Sequence, residues 1–165
     1  MLFRSTNKTV TAYFGGGGYL SGTIPLNVNS WNHICATRSG STATLYINGT
    51  KDVTNSSFSP TNTGSQGYYI GRDTDTQPKG YISNFRIVNG SAVYSPSAVS
   101  ITVPTSPLTA ITNTALLTCQ ANRFIDSSSN NFAVTVGGTP QVSRFSPFAP
   151  TVSTPYSTKI GRAHV

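Results

Sequence analysis

Apolar and polar side chains alternate along much of the chain, in short runs broken by turn residues. In the run from Thr42 to Asn48, Ala43, Leu45 and Ile47 fall on one face of an extended segment, with Thr44 and Tyr46 on the other. A period of two marks a half-buried strand. Val10 to Phe14 reads the same way and ends at Gly15-Gly16-Gly17-Gly18, a run suited to a flexible turn or a close backbone approach. Trp31 to Arg38 is the next expected strand. It turns at Ser39-Gly40-Ser41, returns through Thr42 to Asn48, and meets Asn48-Gly49, a strong local hairpin signal that leads into a third strand through Val53. That order is a meander.

Further strands are expected at Gly67 to Gly71, Gly80 to Val88 (ended by Asn89-Gly90), Ala115 to Cys119, Phe132 to Val136 and Gln141 to Phe145. The prolines at 104, 107, 140, 147, 150 and 155 mark connections or strand edges. No helix is expected beyond a turn near Ser91 to Tyr94. Many short strands between turn signals specify an all-β sandwich or barrel.

Composition agrees with that reading and narrows the function classes. The 165 residues suffice for one ordinary domain with a sizeable core. Eight Tyr, 8 Phe and many β-branched residues suit a pleated surface and exclude a disordered tail. The net charge of +7 comes from a shortage of acids: all four are aspartates (Asp52, Asp73, Asp75, Asp126), with no glutamate. Arg4, Lys8, Arg38, Lys51, Arg72, Lys79, Arg86, Arg123 and Arg144 stand singly, so the clustered patch that nucleic acid requires is missing. No apolar run is long enough to cross a bilayer, and no signal-peptide pattern is visible. No nucleic-acid or membrane partner is expected.

Few residues carry chemistry. The glycine run leads not into a helix bearing Lys and Ser/Thr but into Tyr19-Leu20-Ser21-Gly22, so it is no phosphate cradle. Cys35 and Cys119 lack a CxxC partner and sit in apolar strand-like runs, which favours buried free thiols over a disulfide and excludes a zinc site. His33 shares a face with Trp31 and Cys35 and is expected to be hydrogen-bonded and half-buried. Trp31 is expected to be a core or rim aromatic rather than a sugar-stacking plate. The sequons at Asn7, Asn48, Asn55 and Asn89 are as many as chance gives in a chain this rich in Asn, Ser and Thr. Asp73 and Asp75, with nearby Thr74, Thr76 and carbonyls, make only a partial oxygen set for Ca²⁺, and a solvated hairpin loop is the simpler reading. No cofactor is assigned.

Three elements in order resemble laminin G-like domains of the concanavalin A-like superfamily: Trp31-x-His33-Ile34-Cys35-Ala36-Thr37-Arg38, Leu45-Tyr46-Ile47-Asn48-Gly49, and Tyr69-Ile70-Gly71 followed by Gly80-Tyr81-Ile82-Ser83-Asn84-Phe85-Arg86-Ile87. The resemblance covers roughly residues 1 to 95 and implies an antiparallel jelly-roll β-sandwich whose N-terminal strands are missing here. The family usually has an acidic residue where Ser83 or Asn84 stands. Glycosidases of this class use paired carboxylates; with no glutamate in the chain a non-catalytic module is expected, the alternatives being a fragment of a glycoside hydrolase whose catalytic carboxylates lie in the missing part, or a secreted cellular adhesion module. Tyr19, Arg72, Asp73 and Asp75 are the residues the resemblance points to for binding a glycan or cell-surface ligand.

The second half, with Leu116-Leu117-Thr118-Cys119-Gln120, Asn122-Arg123-Phe124-Ile125-Asp126, Asn130-Asn131-Phe132 and Phe145-Ser146-Pro147-Phe148, is similar to the segments that succeed such domains in tandem arrays of bacteriophage tail and virion proteins. That likeness implies virion subunits or tandem repeats as partners and a virion or extracellular location. The expected organisation is a sandwich over 1–108, strands completing or appended to it over 109–150, and a linker over 151–159 towards a next repeat. Residues 160–165 translate ATC GGA AGA GCA CAC GTC, a common short-read sequencing adapter, and are expected to be an artefact.

Overall fold

The computed structural model describes residues 2–6, 9–14, 18–61, 69–71 and 80–148, with side chains from residue 9 onward. Among them there is no helix, and every strand pairs antiparallel with its neighbour in sequence. Strands β1 (Leu2–Thr6), β2 (Thr9–Tyr13) and β3 (Tyr19–Ser21) form one sheet in that order. Strands β4 (Ile34–Ser39), β5 (Thr42–Ile47) and β6 (Thr50–Asn55) form the expected meander. β7 (Phe85–Val88) pairs with β8 (Thr114–Thr118) as a separate ribbon.

Alternation decides how the two three-stranded sheets face each other. Val10, Ala12 and Leu20 from the first meet Ala43, Leu45 and Ile47 from the second, joined by Phe58, all at most 2% exposed. Ile24, Leu26, Ile34, Ala36 and Val53 pack around this cluster. Phe14 closes one end edge-on against Phe58, with ring centroids 5.0 Å apart. Each fully buried Leu or Ile stabilises such a layer by about 1.5–3 kcal/mol relative to exposure, so this dry interface holds the sandwich together.

Two bulges turn the ladders towards the rest of the fold. Leu45 pairs with Val53 and Tyr46 with Lys51, which leaves Asp52 as an extra residue in β6. Its carboxylate reaches back to the first sheet. Asp52 Oδ1 accepts hydrogen bonds from the N–H of Thr23 (2.8 Å) and Ile24 (3.2 Å) and from the Thr23 hydroxyl (2.9 Å). Gly22 is required at this approach, since a Cβ there would collide with Asp52 and with the Val10 carbonyl. In β8 the second bulge leaves Ala115 unpaired, and the Ala115 carbonyl accepts from the Ser128 hydroxyl and from Asn130 Nδ2.

Several sequence expectations need correction. Tyr19–Ser21 is a strand that the pattern did not assign. The expected strand over Gly80 to Val88 begins only at Phe85, because Asn84 sits at φ 55°, outside the extended region. Phe132 to Val136 and Gln141 to Phe145 alternate correctly but find no partner strand among the described residues, and they lie exposed. The described part of Gly67 to Gly71, Tyr69 to Gly71, is irregular. Near Ser91 to Tyr94 the expectation holds: the chain bends there and forms no helix.

Candidate functional site

Among the described residues nothing crosses the outer face of the first sheet. With Val10, Ala12 and Leu20 turned inward, Thr11, Tyr13, Tyr19 and Ser21 point away from the core. The register sets Tyr13 opposite Tyr19 and Thr11 opposite Ser21. The two tyrosine rings stack with centroids 4.6 Å apart and planes at 28°, and Tyr19 is 55% exposed. The turn between them is closed by the Phe14 N–H donating to the Gly18 carbonyl at 2.9 Å. An aromatic plate flanked by hydroxyls can pack on the C–H face of a ring-shaped polar ligand while hydrogen-bonding its rim.

Of the four binding residues expected from sequence, Tyr19 is the one the structure describes. Arg72, Asp73 and Asp75, the last two also the expected Ca²⁺ donors, lie outside the described residues. Tyr13 was missed. Reading Tyr19–Ser21 as a strand after the glycine turn would have found it, since a tight turn puts Tyr13 across from Tyr19.

The outer face of the second sheet is closed instead. The segment from Tyr94 to Val103 runs across it as a strap. Tyr46 donates its hydroxyl to the carbonyls of Ser95 (3.0 Å) and Ala98 (2.8 Å). Thr44 donates to the Pro96 carbonyl at 2.6 Å and Thr37 to the Tyr94 carbonyl at 2.7 Å. The strap ends beside β6, where Ile101 N–H donates to the Gly49 carbonyl at 2.9 Å and Ser100 bridges Thr50. Tyr46 and Thr44 are fully buried as a result.

Neither described carboxylate is free for acid–base work. Asp52 is the inter-sheet clamp. Asp126 is 4% exposed; burial pushes its carboxyl up, but hydrogen bonds from Leu117 N–H, Phe132 N–H, Ser128 N–H and the Ser128 hydroxyl outweigh this and hold it below the usual carboxylate range. Cys35 and Cys119 are free, as expected, and half-buried. Burial pushes the Cys35 thiol up to about 11, against a weaker opposite pull from Arg86, which disfavours the thiolate.

His33 departs from expectation in one respect. It is half-buried and its imidazole is pushed below the ordinary value by burial, but Nδ1 is buried with no hydrogen-bond partner among the described residues. Trp31 is a rim aromatic, stacked on Phe145 at 5.2 Å and near Tyr81 at 6.3 Å, with its Nε1 likewise unpartnered among the described residues. Among those residues no group of three or more His, Cys, Asp or Glu side chains is placed to hold a metal, and no helix is long and apolar enough to cross a membrane.

A family model described as the concanavalin A-like lectin/glucanases superfamily, of laminin G type, matches residues 1–100, a span that takes in both meanders, β7 and most of the strap. No curated protein and no solved structure matches the chain.

Proposed function

The chain belongs to the concanavalin A-like lectin/glucanase superfamily, and from that premise we propose that it is a non-catalytic recognition and structural module, a jelly-roll β-sandwich that binds carbohydrate or another surface ligand. The observation that carries this reading is the Tyr13–Tyr19 stack, edged by Thr11 and Ser21, on a sheet face that none of the described residues covers. Arg72, Asp73 and Asp75, which lie outside the described residues, are kept as further contacts. The superfamily name also covers glucanases, but a glucanase needs two carboxylates flanking the scissile bond. Both described aspartates are occupied by backbone N–H groups, which supports a binder over an enzyme.

The biological setting we propose is a phage tail fibre or other virion-associated protein, with neighbouring subunits or tandem repeats as partners and a virion or extracellular location. It rests on the second-half motifs around Leu116 to Asp126 and Phe145 to Phe148. Fold alone does not fix function. The deciding experiment is a glycan array probed with the chain and with Tyr19→Ala. Binding to a defined sugar class that the substitution weakens supports the proposal. Blank arrays, or binding untouched by Tyr19→Ala, would overturn the assignment of this face. Release of reducing ends from bound polysaccharide would overturn the non-catalytic reading.

A further inference from the structure

The chain contains Asn-Gly twice, at Asn48-Gly49 and Asn89-Gly90. Asn-Gly is the dipeptide most open to attack of the following backbone nitrogen on the asparagine side chain, because glycine puts no Cβ in the way. The attack needs the side-chain amide and the next peptide to rotate towards each other. Local structure therefore decides whether it happens.

At Asn48 the side-chain amide that would have to turn is held at both its oxygen and its nitrogen. Oδ1 accepts from the His33 N–H at 2.8 Å, Nδ2 donates to Asn32 Oδ1 at 3.1 Å, and the Asn48 N–H donates to the His33 carbonyl at 2.8 Å. Gly49 is buried, fixed at φ 82°, and its carbonyl accepts from the Ile101 N–H at 2.9 Å. At Asn89 a single backbone bond remains, the N–H donating to the Asn113 carbonyl at 3.0 Å. The Asn89 side chain makes no hydrogen bond among the described residues, and both Asn89 and Gly90 are exposed.

We propose that Asn89 is a self-modification site, converted without an enzyme to aspartyl and isoaspartyl by the Gly90 backbone nitrogen, while Asn48 is locked against the same reaction. The Gly90 nitrogen forms a bond to Asn89 Cγ, the Cγ–Nδ2 bond breaks, and the Gly90 amide proton passes through water to the leaving group, which departs as ammonia. Water then adds to one of the two carbonyls of the resulting succinimide and that carbonyl's bond to nitrogen breaks. One outcome restores the normal backbone with a new carboxylate, and the other routes the chain through the side chain with an added methylene. Either lowers the net charge of +7 by one, at the point where the chain leaves β7 beside Asn113.

The test is to hold the whole chain at mildly alkaline pH and physiological temperature, then map peptides by mass and isoaspartyl content over time. Conversion at position 89 is expected to run at least about tenfold faster than at position 48, where the side-chain hydrogen bonds must break first. In denaturant the two sites should convert at similar rates. Asn32→Ala should raise the rate at Asn48. Equal rates at the two sites in the folded chain, or a slow Asn89, would overturn the proposal. The wild-type comparison decides the matter even if the variant folds poorly.

Discussion

On the outer side of β1–β3 stand Thr11, Tyr13, Tyr19 and Ser21; on the outer side of β4–β6 stand Thr37, Thr44, Tyr46 and Thr54. The residue types nearly match, and the two faces end in opposite states. Tyr19 is 55% exposed and Tyr46 is 0% exposed. The difference lies in what crosses each face: nothing described covers Tyr13 and Tyr19, whereas the strap supplies a backbone carbonyl for each of Thr37, Thr44 and Tyr46. A Thr/Tyr face on a sandwich is therefore ambiguous until its cover is known. The same hydroxyls that could hold a ligand on one face hold the chain's own backbone on the other.

The contrast can be broken most forcefully at its buried side. Tyr46→Ala should destabilise the fold by about 3–5 kcal/mol, the range for truncating a buried aromatic, read as a lowered midpoint in chemical denaturation. Thr44→Val, which keeps the shape and removes the donor to Pro96, should lower stability by about 1–2 kcal/mol by leaving a buried carbonyl unsatisfied.

Acid should weaken the fold in two stages. The His33 pKa is lowered from 6.5 by burial, so its contribution is full above that value and is lost as pH falls through the folded-state pKa. Asp126 has the same sign lower down: its contribution is full above the unfolded value of about 3.9 and lost below it. Denaturation midpoints measured against pH should show both stages, and His33→Phe should remove the upper one. Tyr19→Ala is expected to give the smallest change in stability, within about 0.5 kcal/mol. It should nonetheless weaken ligand binding about tenfold, the worth of one good aromatic contact. A large stability loss at Tyr19 would erase the contrast between the faces.

The meander and its core face were legible because Ala43, Leu45 and Ile47 carry a clean period of two and Asn48-Gly49 fixes the turn. The strap was not. Its contribution is backbone carbonyls from Ser95, Pro96 and Ala98, which leave no mark in side-chain patterning. Phe132, Val134 and Val136 show the reverse failure: the period is right, but a strand exists only with a partner, and the described residues offer none. Nothing in the pattern singled out Asp52, since a one-residue slip in β6, which no residue type announces, aims it at Thr23. On the candidate site, Tyr19 was legible as an aromatic after a turn. Its ring partner Tyr13 required the register.

The strap also sets a timetable. Its hydroxyl–carbonyl bonds join residues 49 to 57 positions apart, and a ribosome adds about 5–20 residues per second. The β4–β6 ribbon can thus leave the tunnel several seconds before the segment that seals it. During that interval Tyr46 and Thr44 stand wet and unclaimed, and the nascent chain briefly presents two open tyrosine faces where the finished molecule keeps one.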